Sequence, residues 1–297
     1  MKFAGIIAEY DPFHNGHAWQ LAQAKALGAE RVAVAMSCSL VQRGALPLLP
    51  EAVRTRSALT CGADLVFALP APCACAGAEA FARAGVALLA AAGCDGLVFG
   101  AETPDAALLM EAAELLDSGS YRAALKAQLA GGARSFAAAR QAAAAQLASD
   151  ERVAALLDKP NNNLAVEYCR AIRSLAPRME AYPLPRQGAD HGEALHSAHG
   201  QFASASALRK LWAEGGADAV APYVPEAVFP LYQEAYAAGQ YTDFSAAGRC
   251  ELALLRSACR DKAPFADIRG VSEGLEHRLE AAVRTSTTYD ELLDALT

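Results

Sequence analysis

The first hundred residues of this chain predict an α/β fold built on a parallel sheet. Three observations carry that expectation. Short runs that are apolar almost throughout alternate with helix-like stretches, and those stretches end at glycine. The runs lack the in–out alternation of a half-exposed strand, as strands covered on both faces do. The first run leads directly into a loop, "EYDPFHNGH", that opens the first helix.

In chain order, "FAGIIAE" (3–9) reads as the first strand and "GHAWQLAQAKALG" (16–28) as the first helix. "RVAVAM" (31–36), "DLVFALP" (64–70) and "DGLVFG" (95–100) are the next strands, separated by helices at "EAVRTRSALTCG" (51–62) and "EAFARAGVALLAAAG" (79–93). Each helix closes at a glycine, the residue that most readily adopts the left-handed conformation after a helix end. Strand–helix alternation implies right-handed crossovers with helices on both faces of the sheet. Ligands of such sheets bind beyond the carboxyl ends of the strands, where this chain places "EYDPFHNGH", "SCSLVQRGALPLLP", "PAPCACAG" and "GAETPD".

From about 104 to 175 the chain reads as wholly helical and alanine-rich, broken by "SGS" and "GG", an inserted subdomain. "RMEAYPLP" (178–185) reads as a last strand, and "RQGADHGEALHSAHG" (186–200) as a polar, histidine-bearing loop. "SASALRKLWAEGG" opens a further helix on a serine cap, and helices fill the remainder. The expected division is a nucleotide-binding domain of residues 1–103 and 160–214, a helical insertion at 104–159 and a C-terminal helical region at 215–297.

Of the 297 residues, 54% are hydrophobic, enough for a substantial core. No stretch of about 18 or more apolar residues signals a membrane span, and "MKFAGII" is too short for a signal peptide, so a cytoplasmic location is expected. The eight cysteines are scattered, and the one close pair, Cys73 and Cys75, has neither zinc-knuckle nor CxxC spacing. They read as buried free thiols, with no metal ligands assigned. A formal charge of −7 speaks against a general nucleic-acid coat, though a local basic patch can still hold RNA.

The chemistry concentrates at His14-Asn15-Gly16-His17, between strand one and helix one. That position offers a triphosphate backbone N–H donors and the positive end of a helix. Gly16, without a Cβ, permits close approach, and the two imidazoles can donate to phosphate oxygens as charge develops in an adenylyl-transfer transition state. Strand, HxGH and helix together are the signature of HxGH-type nucleotidyltransferases. Their second phosphate motif, Ser/Thr-x-Ser-x-x-Arg at a helix start, is matched by "SASALR" with Ser204, Ser206 and Arg209. The fold expected is thus a Rossmann-like nucleotidyltransferase domain with helical insertion and C-terminal helical segment.

"GIIAEYDPFHNGH", "VAVAMSCSLVQRG", "GADLVFALP", "GCDGLVFGAE", "KPNNNLAVEY", "RQGADH" and "FASASALRKLW" occur in one order. In that order they resemble the bacterial tRNA(Met) cytidine acetate ligase family, over most of the chain. The resemblance implies an ATP-consuming ligase that forms acetyl-adenylate, releases diphosphate, and acetylates the wobble cytidine of elongator tRNA(Met). ATP, acetate and that tRNA are the implied partners, with magnesium accompanying the triphosphate and no DNA or membrane partner; oligomeric state is not legible.

Carried over residue by residue, the resemblance assigns Ile7 to Gln20 to ATP, including Ile7, Ala8, Glu9, Tyr10, Gly16 and Gln20. Gly100 would touch adenosine through its backbone, Asn161 or Asn162 the nucleotide, and Arg186 a phosphate. Gln42 and Arg43 would reach the site from strand two. His14, His17, Ser206 and Arg209 are the expected catalytic groups.

Arg43 and Arg54, with Arg56, Arg83 and Lys210, are candidate RNA contacts, and Tyr10, Phe13 and Trp212 candidate stacking platforms. The chain departs from the family pattern at Asp11, Cys38-Ser39 and Asp190. Asp11 would add a carboxylate beside the triphosphate, where magnesium could use it, and Cys38-Ser39 alters the loop nearest the acyl pocket. Relatives continue past the equivalent of "TYDELLDALT" with a basic helical stretch. Two other readings fit the phosphate motifs: a small-molecule adenylyltransferase, and an inactive nucleotide-binding relative.

Overall fold

The computed structural model describes residues 1–42, 44–132, 135–186, 195–197, 200–260, 265–266, 268, 271 and 274–296. The chain forms two compact units, Met1–Tyr241 and Thr242–Thr297.

The first unit is built on β1 (Phe3–Ala8), α1 (Asn15–Ala26), β2 (Arg31–Ser37), α2 (Glu51–Thr60), β3 (Leu65–Leu69), the short α3 (Ala71–Ala74), α4 (Ala78–Ala91) and β4 (Gly96–Ala101). Helices α5 (Ala106–Asp117), α6 (Gly119–Ala130), α7 (Phe136–Leu147) and α8 (Glu151–Leu156) follow, then α9 (Pro160–Leu175) and β5 (Glu180–Pro185). A two-stranded antiparallel ribbon, β6 (Leu195–Ser197) and β7 (Gly200–Phe202), leads into α10 (Ala205–Val220), a 3₁₀ turn at Ala221–Tyr223 and α11 (Phe229–Ala237).

The main sheet has the order β3-β2-β1-β4-β5, every pairing parallel. The expected parallel α/β architecture is therefore present, with each expected strand in place. Chain order reverses at β1, which lies between β2 and β4, and this is the switch point where open α/β sheets bind ligands.

Alternation along β1 divides the core. Ala4 and Ile6 face a layer that includes Leu21, Val53, Leu208, Trp212 and Tyr232. Phe3 and Ile7 face the opposite layer, where α4, α5 and α9 contribute Val86, Leu109 and Val166. Small residues set the spacing of that second layer. A Cβ on Gly85 would lie 2.5 Å from Ile7 Cδ1, so α4 approaches β1 only because it carries glycine there. The inserted helices are not a separate body, since Leu116, Tyr121, Ala143 and Val153 belong to the same apolar cluster as α4 and α9.

The second unit contains α12 (Phe244–Ala258), α13 (Leu275–Thr285) and α14 (Tyr289–Leu296). Its core is Leu252, Cys259, Phe265, Val283 and Leu292. Among the described residues no helix is long and apolar enough to cross a membrane.

Candidate active site

The carboxyl ends of β1, β4 and β5 bring the site together. His14 is the N-cap of α1, and its side chain accepts from the Gly16 N–H through Nδ1 at 3.0 Å. His17 Nδ1 accepts in return from the His14 N–H at 3.3 Å, closing a capping box made of two imidazoles. The rings stack with centroids 3.8 Å apart.

Each ring therefore accepts at Nδ1 and carries its proton at Nε2, a neutral tautomer with one donor left for a ligand. Burial lowers both pKa values, that of His14 to about 4 with help from the Arg186 charge, and that of His17 well below the usual imidazole value, with His14 and Arg186 both contributing. At neutral pH the pair supplies two N–H donors and no charge; cationic character comes from Arg186, exposed just past β5.

Gly16 has a local reason to be glycine. A Cβ there would stand 2.9 Å from His14 Cε1, so the missing side chain makes room for the imidazole. Asn15, given no separate role by the sequence, donates from Nδ2 to the carbonyls of Gln201 (3.0 Å) and Pro222 (3.2 Å), tying the start of α1 to β7 and the 3₁₀ turn. Gln20 donates to the Val98 carbonyl at 3.2 Å, fixing α1 against β4. Ile7, Ala8 and Glu9 are half-buried at the end of β1, and Gly100 lies exposed at the end of β4, its position for a Cβ 3.5 Å from Arg186 Cγ.

The second phosphate motif reaches the same loop. Ser204 caps α10, accepting from the Ala207 N–H at 3.2 Å, with its hydroxyl 3.0 Å from that of the exposed Ser206. Arg209 Nη1 donates to the Asp11 carbonyl at 2.6 Å and pairs with Asp11 Oδ2 at 3.1 Å. Asp11 is thus not a magnesium ligand: it is buried, and its Oδ1 accepts from the Leu48 N–H at 2.6 Å. The expectation of a carboxylate facing the triphosphate is corrected by that inward turn.

Glu102, just past β4, is the latch that sequence reading missed. Its carboxylate accepts from Asn161 N and Nδ2 and from Asn162 N, at 3.2, 2.6 and 2.7 Å. These bonds outweigh the burial that would raise its pKa and hold it below the usual carboxylate range. Asn162 is buried, its amide exchanging hydrogen bonds with Thr103 N and Oγ1. Its side chain supports the edge; Asn161, half-buried, is the accessible one of the pair.

Arg54 is a second correction. It is fully buried, and its guanidinium donates to the carbonyls of Leu49 (2.9 Å), Glu9 (2.7 Å), Ser37 (2.6 Å) and Cys38. It staples the loops after β1 and β2 from inside, so it cannot meet RNA. Tyr10, Phe13 and Trp212 are likewise core residues, 1%, 0% and 3% exposed, and cannot serve as stacking platforms.

Tyr10 adopts a left-handed backbone (φ 51°) while its ring packs edge-on to His17 at 4.8 Å and Phe13 at 4.9 Å, supporting the histidine from below. Gln42 is half-buried, its N–H donating to Glu9 Oε1 at 2.5 Å. Arg56 lies 3.6 Å from Glu234 and Arg83 donates to Ser174, both exposed, as is Lys210. Arg43 and Asp190 lie outside the described residues. Cys38 is buried, with Sγ 3.2 Å from the Met36 carbonyl.

The model of the HIGH Nucleotidyl Transferase family matches residues 1–297. A tRNA(Met) cytidine acetate ligase of Syntrophotalea carbinolica is 36% identical over 299 residues, covering 100% of this chain and 70% of that protein. The chain belongs to the tRNA(Met) cytidine acetate ligase family. The Bacillus subtilis relative of the same name is 31% identical over 100% of this chain and 72% of its own length. Among solved structures, apo Thermotoga maritima TmcAL has a TM-score of 0.91 at 30% identity, over 100% of this chain and 71% of that one. Thermotoga maritima TmcAL bound with alpha-thio ATP gives 0.88 at 28% identity, over 100% and 70%. The family's members named here are ligases, and one has been captured with an ATP analogue at this fold.

Proposed function

We propose that the protein activates acetate with ATP and transfers the acetyl group to the wobble cytidine of elongator tRNA(Met). The observation that carries this reading is the meeting of His14, His17, Arg186 and the α10 motif at one edge, in a chain related throughout to ligases of that name. In the first step an acetate oxygen attacks the α-phosphorus and pyrophosphate leaves. In the second, the exocyclic amine of cytidine attacks the acetyl carbonyl, AMP leaves, and the amine's proton passes to solvent. No protein nucleophile is required, so catalysis is positioning plus electrostatic stabilisation.

The neutral Nε2–H groups of His14 and His17 donate to phosphate oxygens as their charge grows. Because the Nδ1 atoms are already fixed by backbone donors, the rings need no reorientation during reaction. Ser206 and Arg209 hold the far phosphates at the start of α10. Ile7, Ala8, Glu9, Gly100 and Asn161 border the nucleoside, with Gln42 on the side of β2. The donors around the phosphates are imidazole, guanidinium and hydroxyl, and Asp11 is committed to Arg209 and Leu48. Such a set suits magnesium carried on the triphosphate's own oxygens and water, and supplies no separate cage.

Acetate-dependent ATP–pyrophosphate exchange tests the first step, and transfer of labelled acetyl to elongator tRNA(Met) the second. Exchange indifferent to acetate would reject the carboxylate assignment. Exchange without transfer, with intact tRNA present, would reject the acceptor.

A further inference from the structure

One side chain joins three loops of the site. Asp11, 4% exposed, accepts from the Leu48 N–H after β2 and pairs with Arg209 at the start of α10, while belonging itself to the loop after β1. Arg209 Nη1 touches both the Asp11 carbonyl and Oδ2, so its two hydrogens are accounted for. Among the described residues Nε and Nη2 of Arg209 have no acceptor, and the side chain is 33% exposed.

A guanidinium is planar, with Nε–H and one Nη2–H parallel on one edge and Nη1 on the other side. The Nε–Nη2 edge is the fork that takes two oxygens of a carboxylate or phosphate. Here Nη1 is held by the protein and that fork is left to a ligand.

We propose that Asp11 is a positioning residue: it grips Arg209 by Nη1 and thereby presents the Nε–Nη2 fork to a phosphate group of the nucleotide. The inference rests on the reading of this edge as the ATP site. Its physical basis is pre-organisation, since an arginine immobilised before ligand arrives loses less side-chain freedom on binding. The buried carboxylate sits on the protein side of the pair, so the exposed end stays cationic. Asparagine is an incomplete substitute, because an amide has one acceptor oxygen where Leu48 and Arg209 together require two.

The test is calorimetric binding of an ATP analogue that cannot be cleaved between the α and β phosphates, with adenosine as a second probe. Asp11→Ala, Asp11→Asn, Arg209→Ala and the two double variants are compared. Loss of one charge-assisted contact predicts that Arg209→Ala and Asp11→Ala each weaken the analogue by roughly tenfold or more, and Asp11→Asn by about threefold. In the Arg209→Ala background neither Asp11 change should add more than about twofold. Adenosine, which has no phosphate, should bind all the variants alike.

If Arg209→Ala has no effect, the phosphate reading fails and the proposal with it. If Arg209→Ala weakens binding but both Asp11 variants bind as tightly as the parent or more tightly, the site reading stands and the Asp11 role is overturned. Equal losses in both backgrounds, or loss of adenosine binding, would show that Asp11 acts through the fold. Should Asp11→Ala not fold, the Asp11→Asn comparison in the two backgrounds decides.

Discussion

His14 performs two tasks that substitution can separate. Its Nδ1 accepts from the Gly16 N–H and so caps α1, while Nε2–H remains for a phosphate oxygen. Alanine removes both. Losing an N-cap costs about 1 kcal/mol, which in a unit spanning Met1–Tyr241 lowers Tm by roughly 2–4 °C. Losing one pre-organised donor lowers turnover by about 10²–10³, or roughly 2.7–4 kcal/mol of transition-state stabilisation. Asparagine is among the best N-caps, yet its short amide cannot reach where Nε2 sits. His14→Asn should therefore hold the parent Tm while losing the same two to three decades of acetate-dependent pyrophosphate exchange. Thermal unfolding and exchange rates on the two variants give the answer. If His14→Asn retains activity within about fivefold, the imidazole is a cap alone and the catalytic assignment is wrong. If both variants melt alike, the cap contributes nothing and the geometry has been misread.

Gly16→Ala would place a methyl 2.9 Å from His14 Cε1 in a helical turn that alanine otherwise favours; turnover should fall at least tenfold with Tm maintained, and unchanged exchange kinetics would refute the packing argument. Both histidines are held neutral in the folded chain, His14 down to about pH 4, whereas unfolded imidazoles protonate near 6.5. The unfolded state then binds more protons between about pH 6.5 and 4, so stability should fall on acidification through that window; Tm measured against pH should flatten there in a His14→Asn, His17→Asn double variant, and an unaltered slope would refute it. Arg54→Ala strands four carbonyls in the interior and should destabilise the first unit by about 3 kcal/mol or more; denaturant unfolding within 0.5 kcal/mol of the parent, roughly the effect of a surface change, would place it back at the surface. Asn162→Ala should cost about 1–3 kcal/mol for its lost Thr103 bonds, with ATP affinity the control that would expose a direct nucleotide contact.

The first four strands of the sheet were legible because each is a nearly continuous apolar run, the composition expected of parallel strands covered on both faces; β5, with Glu180 and two prolines, carries that signal only weakly. Strand–helix–strand spacing then dictated parallel pairing, and the sheet's carboxyl edge followed. His14 and His17 were legible because they sit within four residues of one another, where local helix geometry alone brings them together. Arg209 was marked by the serine–arginine motif at a helix start and Arg186 only by family resemblance, since nothing in their own sequence places residues from β5 and α10 beside β1.

What tertiary structure alone decided is what each charged side chain faces. A sequence shows Arg54 and Arg56 as two cations two residues apart; α2 buries the first among strand-end carbonyls and leaves the second exposed. Asp11 looked like a ligand for magnesium until Leu48 and Arg209, 37 and 198 residues away, were seen to take both its oxygens. Glu102 drew no notice because its partners on α9 arrive only after the whole helical insertion. Local sequence fixes backbone habit and hydrophobic burial, which depend on neighbours along the chain. Charge pairing depends on neighbours in space, and those exist only once the sheet has closed the distances.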